Sequence, residues 1–293
     1  MLARSLRSLA CIVAAIAWPA FALAQERPKV DLELVLAVDV SVSMNKQELE
    51  IQRAGYAAAL KDPEVLQAIQ SGPHGRIAVA YFEWAGVTSQ QLIVPWTVVG
   101  GSEDARAVAA KLDRLPGWQP RRTSISGALD FGVALLADSP YEAERQVIDV
   151  SGDGTNNEGR PVTEARDAAV ANGVTINGLP VMADLDTFSG NDVARLDDYY
   201  RQCVTGGPGS FVISISNWDE FPAAIRRKFL MEIAREPVQS PQRPPVVLAQ
   251  AAPGYDCLIG ERNYRDSPLR NKNNPERFQF PNNLPENWRN WRQ

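Results

Sequence analysis

Apolar positions along this chain keep two rhythms, and the two alternate. From Leu32 to Val40 the run is almost continuously apolar and rich in Val and Leu, as in a strand buried on both faces. At Asn45 the period lengthens. Asn45 with Glu48 three residues on makes a capping-box start, and Leu49, Tyr56, Ala57 and Leu60 share one helical face. The same reading predicts a short helix over 63–69, a strand over 76–84, and a strand over 91–99 whose Pro95 puts it at an edge or on a bulge. Ser102 then caps a helix with Ala105, Val108, Leu112 and Leu115 on its core face, and Pro116-Gly117 stops it. Hydroxyl residues at 123–126 open a helix that buries Ile125, Ala128, Leu129, Gly132 and Leu136. Beyond it the pattern predicts strands over 146–151, 174–181 and 210–215, and helices over 162–172 and near 192–202. Phe221, Ile225, Phe229 and Ile233 line a closing helix.

Alternation of this kind predicts an α/β fold, a doubly wound and mostly parallel sheet with helices on both faces. In such sheets ligands bind at the C-terminal ends of the strands, where the strand order reverses. Three loops bring chemistry to that position. The first strand runs into Asp39, Ser41 and Ser43, which offer only oxygen, the donor that hard divalent cations prefer. Thr123 stands at the start of a helix, and Asp153 follows a strand in the turn Gly152-Asp153-Gly154. Asp149 and Ser151, at alternate positions before Asp153, are candidates for a supporting role behind these groups.

Outside the central stretch the composition changes. Residues 1–24 have a basic start, an apolar run, and Ala22-Leu23-Ala24 before Gln25, the pattern of a cleavable signal peptide. The expected location is therefore periplasmic or secreted, with cleavage after Ala24. The apolar run is short for a membrane span, and no transmembrane anchor is predicted. The formal charge is −5 for the chain and −7 once Arg4 and Arg7 are removed. An acidic body with no basic stripe excludes nucleic acid as the expected partner. Residues 25–236 suit one domain, 237–253 read as a Pro-rich linker, and 254–293 as an irregular tail rich in Asn, Arg and aromatic residues. After export Cys203 and Cys257 remain. They form either one disulfide, which on the loop-entropy model contributes roughly 4 kcal/mol and pins the tail to the domain, or two unrelated thiols.

Together, Asp39-x-Ser41-x-Ser43 after an apolar strand, Thr123 opening a helix and Asp153-Gly154 ending a later strand resemble the von Willebrand factor type A domain with its metal-ion-dependent adhesion site. Phrases such as Phe82-Glu83-Trp84-Ala85-Gly86 and Gly206-Gly207-Pro208-Gly209 look like those of an uncharacterised exported bacterial subgroup, domain of unknown function 1194. The resemblance implies that Ser41, Ser43 and Thr123 bind a cation through hydroxyls, while Asp39 and Asp153 hold it directly or through water. It implies one Mg²⁺, with Mn²⁺ or Ca²⁺ as substitutes, and an envelope or extracellular protein that presents an Asp or Glu. Gly152 departs from the pattern, which usually has Thr or Ser there.

The expected function is thus a non-enzymatic, metal-dependent protein-binding module. One alternative is a structural domain with a vestigial or stabilising site, recognition falling to the tail. A metal-assisted hydrolase built on Asp149 and Asp153 has less to stand on, because there is no activated nucleophile and the single histidine, His74, sits among turn residues.

Overall fold

Strand β2 (Glu33–Asp39), every residue of it buried, is an interior strand of the sheet, as its apolar run requires. A computed structural model describes residues 26–113, 120–182, 195–233, 247–248 and 255–266. The leader, the helix stop at Pro116-Gly117, most of the 237–253 linker and the tail beyond 266 lie outside the described residues.

Around β2 stand β3 (Ile77–Trp84), β4 (Gln90–Val99), β6 (Gln146–Gly152), β7 (Val174–Pro180), β8 (Phe211–Val212) and β9 (Val247–Leu248), in the order β4-β3-β2-β6-β7-β8-β9. Only the outer pairs, β3 with β4 and β8 with β9, are antiparallel. A separate pair, β1 (Lys29–Val30) and β5 (Glu142–Ala143), lies parallel. Pro95 is on the edge strand β4, opposite β3 where the register shifts, so the missing N–H costs no interior ladder bond.

Parallel register sorts the side chains into two layers. Leu34, Leu36 and Val38 of β2 pack with Val147 of β6 against α1 (Lys46–Leu60), α2 (Pro63–Gln70), α3 (Ser102–Lys111) and α7 (Phe221–Ile233). Val35 and Ala37 pack with Ile148 and Val150 against α4 (Ile125–Ala137), α5 (Val162–Ala171) and the segment formed by α6 (Leu196–Tyr199) and a π-helical turn (Tyr200–Val204). The chain passes from β2 to β3 on one side and later from β6 to β7 on the other. The order therefore reverses between β2 and β6, and the crevice of such a sheet opens at their C-terminal ends.

Local chemistry holds in most elements. Asn45 accepts from the Glu48 N–H while the Glu48 carboxylate accepts from the Asn45 N–H, completing the capping box. Four expectations need correction. Ser102 is the first residue of α3 rather than its cap; Gly101 holds the cap position, and the Asp104 carboxylate accepts from the Gly100 N–H instead. The helix expected near 192–202 is, among the described residues, a single α turn that widens into a π turn, which swings Tyr199, Tyr200 and Cys203 inward. The strand over 210–215 shortens to Phe211–Val212, although the Ile213 and Ile215 N–H groups still donate to the Gly178 and Pro180 carbonyls of β7. The tail is not irregular throughout: Ile259–Asp266 forms a helix, α8, joined to the domain by a disulfide between Cys203 and Cys257. Its eight residues are too few to hold a helix alone, so their periodicity carried little signal and tertiary contact decides.

Candidate metal centre

Strand β2 ends at Asp39, and the chain turns at once. The Ser41 N–H donates to Asp39 Oδ1 at 2.7 Å, and the Met44 N–H donates to the Ser41 carbonyl at 3.0 Å, so the loop closes on itself before α1. This leaves Ser41 Oγ 2.9 Å from Ser43 Oγ, and Ser43 Oγ donates to Asp153 Oδ1 at 3.0 Å. Asp39 and Ser41 are buried, Ser43 is exposed, and Asp153 lies between.

Asp153 arrives from β6. The strand ends at Gly152, and beyond it the loop is tied to the start of α4: Asn157 donates its N–H to the Thr123 carbonyl at 2.8 Å and accepts from the Thr123 N–H at 3.0 Å. Asn156 Oδ1 accepts from the Ser126 N–H, and Ser124 Oγ donates to the Glu158 carbonyl. These bonds place Thr123 over Gly154, where a Cβ would lie 3.5 Å from Thr123 Oγ1. Arg122, just before Thr123, takes φ +93°, the one positive φ among the described non-glycine residues. Such a backbone is held only when its surroundings over-determine it.

All five predicted ligands are thus gathered at the mouth of the β2–β6 crevice. Their chemistry fits a hard cation. Burial first, and then the negative charge of Asp153, push the Asp39 carboxyl well above the usual carboxylate range; burial also raises Asp153. Asp39 Oδ2 is buried and has no hydrogen-bond partner among the described residues. Two carboxylates that repel one another, one with an orphaned oxygen, beside three hydroxyls make a donor set that a divalent cation would neutralise. Among the described residues no group of three or more His, Cys, Asp or Glu is placed to hold a metal.

Asp149 and Ser151 do not support the site. Register pairs Leu36 with Asp149 and Val38 with Ser151, whereas Asp39 falls beside Gly152, so the two candidates occupy the opposite face of the sheet from Asp39. There Lys228 Nζ lies 2.9 Å from Asp149 Oδ1 and 3.1 Å from Glu232 Oε1, all three side chains fully buried. Ser151 Oγ accepts from the Tyr56 hydroxyl at 3.2 Å. The alternation that put Asp149 and Asp153 on one face breaks where the strand ends.

One residue of the site had no sequence signal. A Cβ at Gly152 would lie 3.0 Å from both Asp39 Oδ2 and the Tyr200 hydroxyl, so the missing side chain makes room for Tyr200. Tyr200 is buried, its hydroxyl has no partner among the described residues, and burial and then Asp39 push its pKa up. It comes from the π turn, 48 residues after Gly152 in the chain, and only the fold brings it to Asp39.

The sequence model of a family described as "Protein of unknown function (DUF1194)" matches residues 29–237. No curated protein matches the chain. Among solved structures, the pilus adhesin SpaC from Lactobacillus rhamnosus GG is 15% identical with a TM-score of 0.52, covering 71% of this chain and 31% of that one. Proximal thread matrix protein 1 from the mussel byssus is 13% identical with a TM-score of 0.51, covering 71% of this chain and 49% of that one. A von Willebrand factor type A protein from Catenulispora acidiphila is 13% identical with a TM-score of 0.49, covering 71% and 44%. The chain accounts for between about a third and a half of those lengths, and at such identities the likeness is one of fold.

Proposed function

Because the chain belongs to the DUF1194 family, whose description names no activity, and has a von Willebrand factor type A fold, we propose that it is a non-enzymatic, divalent-cation-dependent protein-binding module of the adhesion type. The observation that carries this reading is the polar chain Asp39–Ser41–Ser43–Asp153 at the mouth of the crevice, with Thr123 beside it and an unpaired Asp39 oxygen. Ser41, Ser43 and Thr123 would hold Mg²⁺ or Mn²⁺ through hydroxyls, and Asp39 and Asp153 through carboxylates. The bound cation supplies an electropositive centre for a partner's Asp or Glu. Few carboxylates and neutral hydroxyls leave that centre in need of a further anion, which is the physical reason for an acidic partner.

The surroundings suit a protein surface. Four large apolar side chains are exposed among the described residues, and three of them, Val42, Val87 and Leu258, are on loops at this end of the sheet. Arg121 is exposed on the loop that carries Thr123. An acidic residue flanked by aliphatic ones would meet both features. The leader-like pattern of residues 1–24 supports a periplasmic or secreted location, and among the described residues no helix is long and apolar enough to cross a membrane.

Three measurements test the reading. Mn²⁺ or Mg²⁺ at about 100 times its Kd is expected to stabilise the protein by about 2.7 kcal/mol against urea, and Asp39→Ala is expected to abolish that gain. Tyr200→Phe, which removes only the hydroxyl facing Asp39, is expected to weaken Mn²⁺ about tenfold while leaving the folded state intact. A pull-down from envelope extract, run with Mg²⁺, with EDTA and with Asp39→Ala, then asks for the partner. Proteins retained equally in all three would move recognition away from this site.

A further inference from the structure

Helix α8 lies beyond residues 29–237, which the family model matches, yet it is packed against the two loops that complete the candidate site. Gly260 lies so close to the 155–156 backbone that any Cβ there would run into the Asn156 carbonyl oxygen and the Thr155 hydroxyl. Glu261 Oε1 accepts from Asn156 Nδ2 at 2.7 Å, and Asn156 in turn donates its N–H to Tyr199 and accepts from the Ser126 N–H. One turn further, the Tyr264 ring lies 3.8 Å from the Arg122 guanidinium, next to Thr123. The contacts of α8 thus reach within three residues of Asp153 and within one of Thr123. The helix is held there by the Cys203–Cys257 bridge, whose other end closes the π turn that carries Tyr200.

We propose that α8 is a disulfide-tethered brace that positions the Thr123 and Asp153 loops, with Gly260, Glu261 and Tyr264 as the positioning residues. Resting on the proposed cation site, it follows that the brace sets the cation affinity of the site and makes that affinity redox-dependent. An external dithiol reductant would release it: the dithiol gives two electrons and two protons, the Cys203–Cys257 sulfur–sulfur bond becomes two thiols, and the dithiol closes to its own disulfide. An eight-residue helix freed of its tether has too little intrinsic stability to stay docked.

The test uses the purified protein in two states, metal-free and titrated with Mn²⁺. In the metal-free protein, hydrogen exchange is followed at the amides of Thr123, Ser126, Asn156 and Asn157, each of which donates within this loop network. Exchange at these four amides is expected to rise at least about tenfold on reduction, in Glu261→Ala and in Gly260→Val, while Glu261→Gln, which keeps the acceptor for Asn156, stays close to the parent. Mn²⁺ affinity by calorimetry is expected to fall about tenfold in the same set, again with Glu261→Gln spared. The Glu261 and Gly260 variants leave the disulfide intact, so a general loss of stability on reduction does not decide the result. Unchanged protection at the four amides while those of α8 exchange freely would overturn the brace. If the contrast in exchange appears but the oxidised parent gives no Mn²⁺ binding, the brace stands and the cation reading falls.

Discussion

Replacing Lys228 with alanine is expected to lower the free energy of unfolding by about 3–5 kcal/mol, the cost of leaving buried carboxylates without their cation. Lys228, Asp149 and Glu232 are fully buried side chains that link α7 to β6, and the ammonium also lies 4.8 Å from the Phe211 ring centroid. Deleting the ammonium strands both carboxylates in the core. The loss should depend on pH, and its sign follows from Glu232. Burial, and then the charge of Asp149, push this carboxyl from an ordinary 4.5 up to about 7. Between those values the native state keeps a proton that the unfolded chain has released, so the contribution is full below about pH 4.5 and is lost as pH rises through about 7. Without Lys228 the penalty for ionising either carboxyl grows, and the variant should fall further below the parent at pH 8 than at pH 5. Urea unfolding at the two pH values measures it; a Lys228→Ala variant within about 1 kcal/mol of the parent at pH 8 would show that the triad carries little. Lys228→Met combined with Asp149→Leu should recover some of the loss, since apolar replacement of a buried pair is often neutral.

Loss of the Cys203–Cys257 bridge should be of similar size. The two residues are 54 apart, and a loop of that length restrains the unfolded chain by about 4 kcal/mol on the loop-entropy model. The double variant Cys203→Ala, Cys257→Ala is therefore expected to unfold at lower urea with a larger m-value, because an uncrosslinked chain exposes more surface. A midpoint equal to the parent's would place the effect of the bridge in local order alone. Cys203 is buried among Tyr199, Tyr200 and Val204, so the double variant is compared with the reduced parent, which keeps both side chains and lacks only the bond, to separate packing from crosslinking.

Much of the fold was legible in the chain itself. The unbroken apolar run of β2 called for a strand with neighbours on both sides, and the alternating periods called for a mostly parallel sheet covered by helices, because parallel strands need crossover connections and those helices bury the sheet. Asp39, Ser41, Ser43 and Asp153 could be picked out because they stand at or just past the end of a strand, and Thr123 because it stands at the start of a helix; in this fold those positions converge. Cys203 and Cys257, the two cysteines outside the leader-like segment, pointed to each other for a similar reason: in a chain expected to be exported, one pairing exhausts them.

What the sequence could not carry was partnership between residues whose local setting is ambiguous. Lys228 and Glu232 sit at i, i+4, each just before an apolar residue, Phe229 and Ile233, a spacing equally suited to a solvated ion pair; that they face Asp149 inside the core depends on how α7 lies on β6. Tyr200 reaches Asp39 only because a π turn and a glycine on another strand leave space for it. The short helix α8 exists through a bridge and contacts to a loop about a hundred residues earlier, and nothing within its own eight residues would hold it. Periodicity and capping are local properties and determined the elements and the ends at which chemistry gathers. Burial, charge pairing and docking are properties of what packs against what, and the tertiary structure alone decided those.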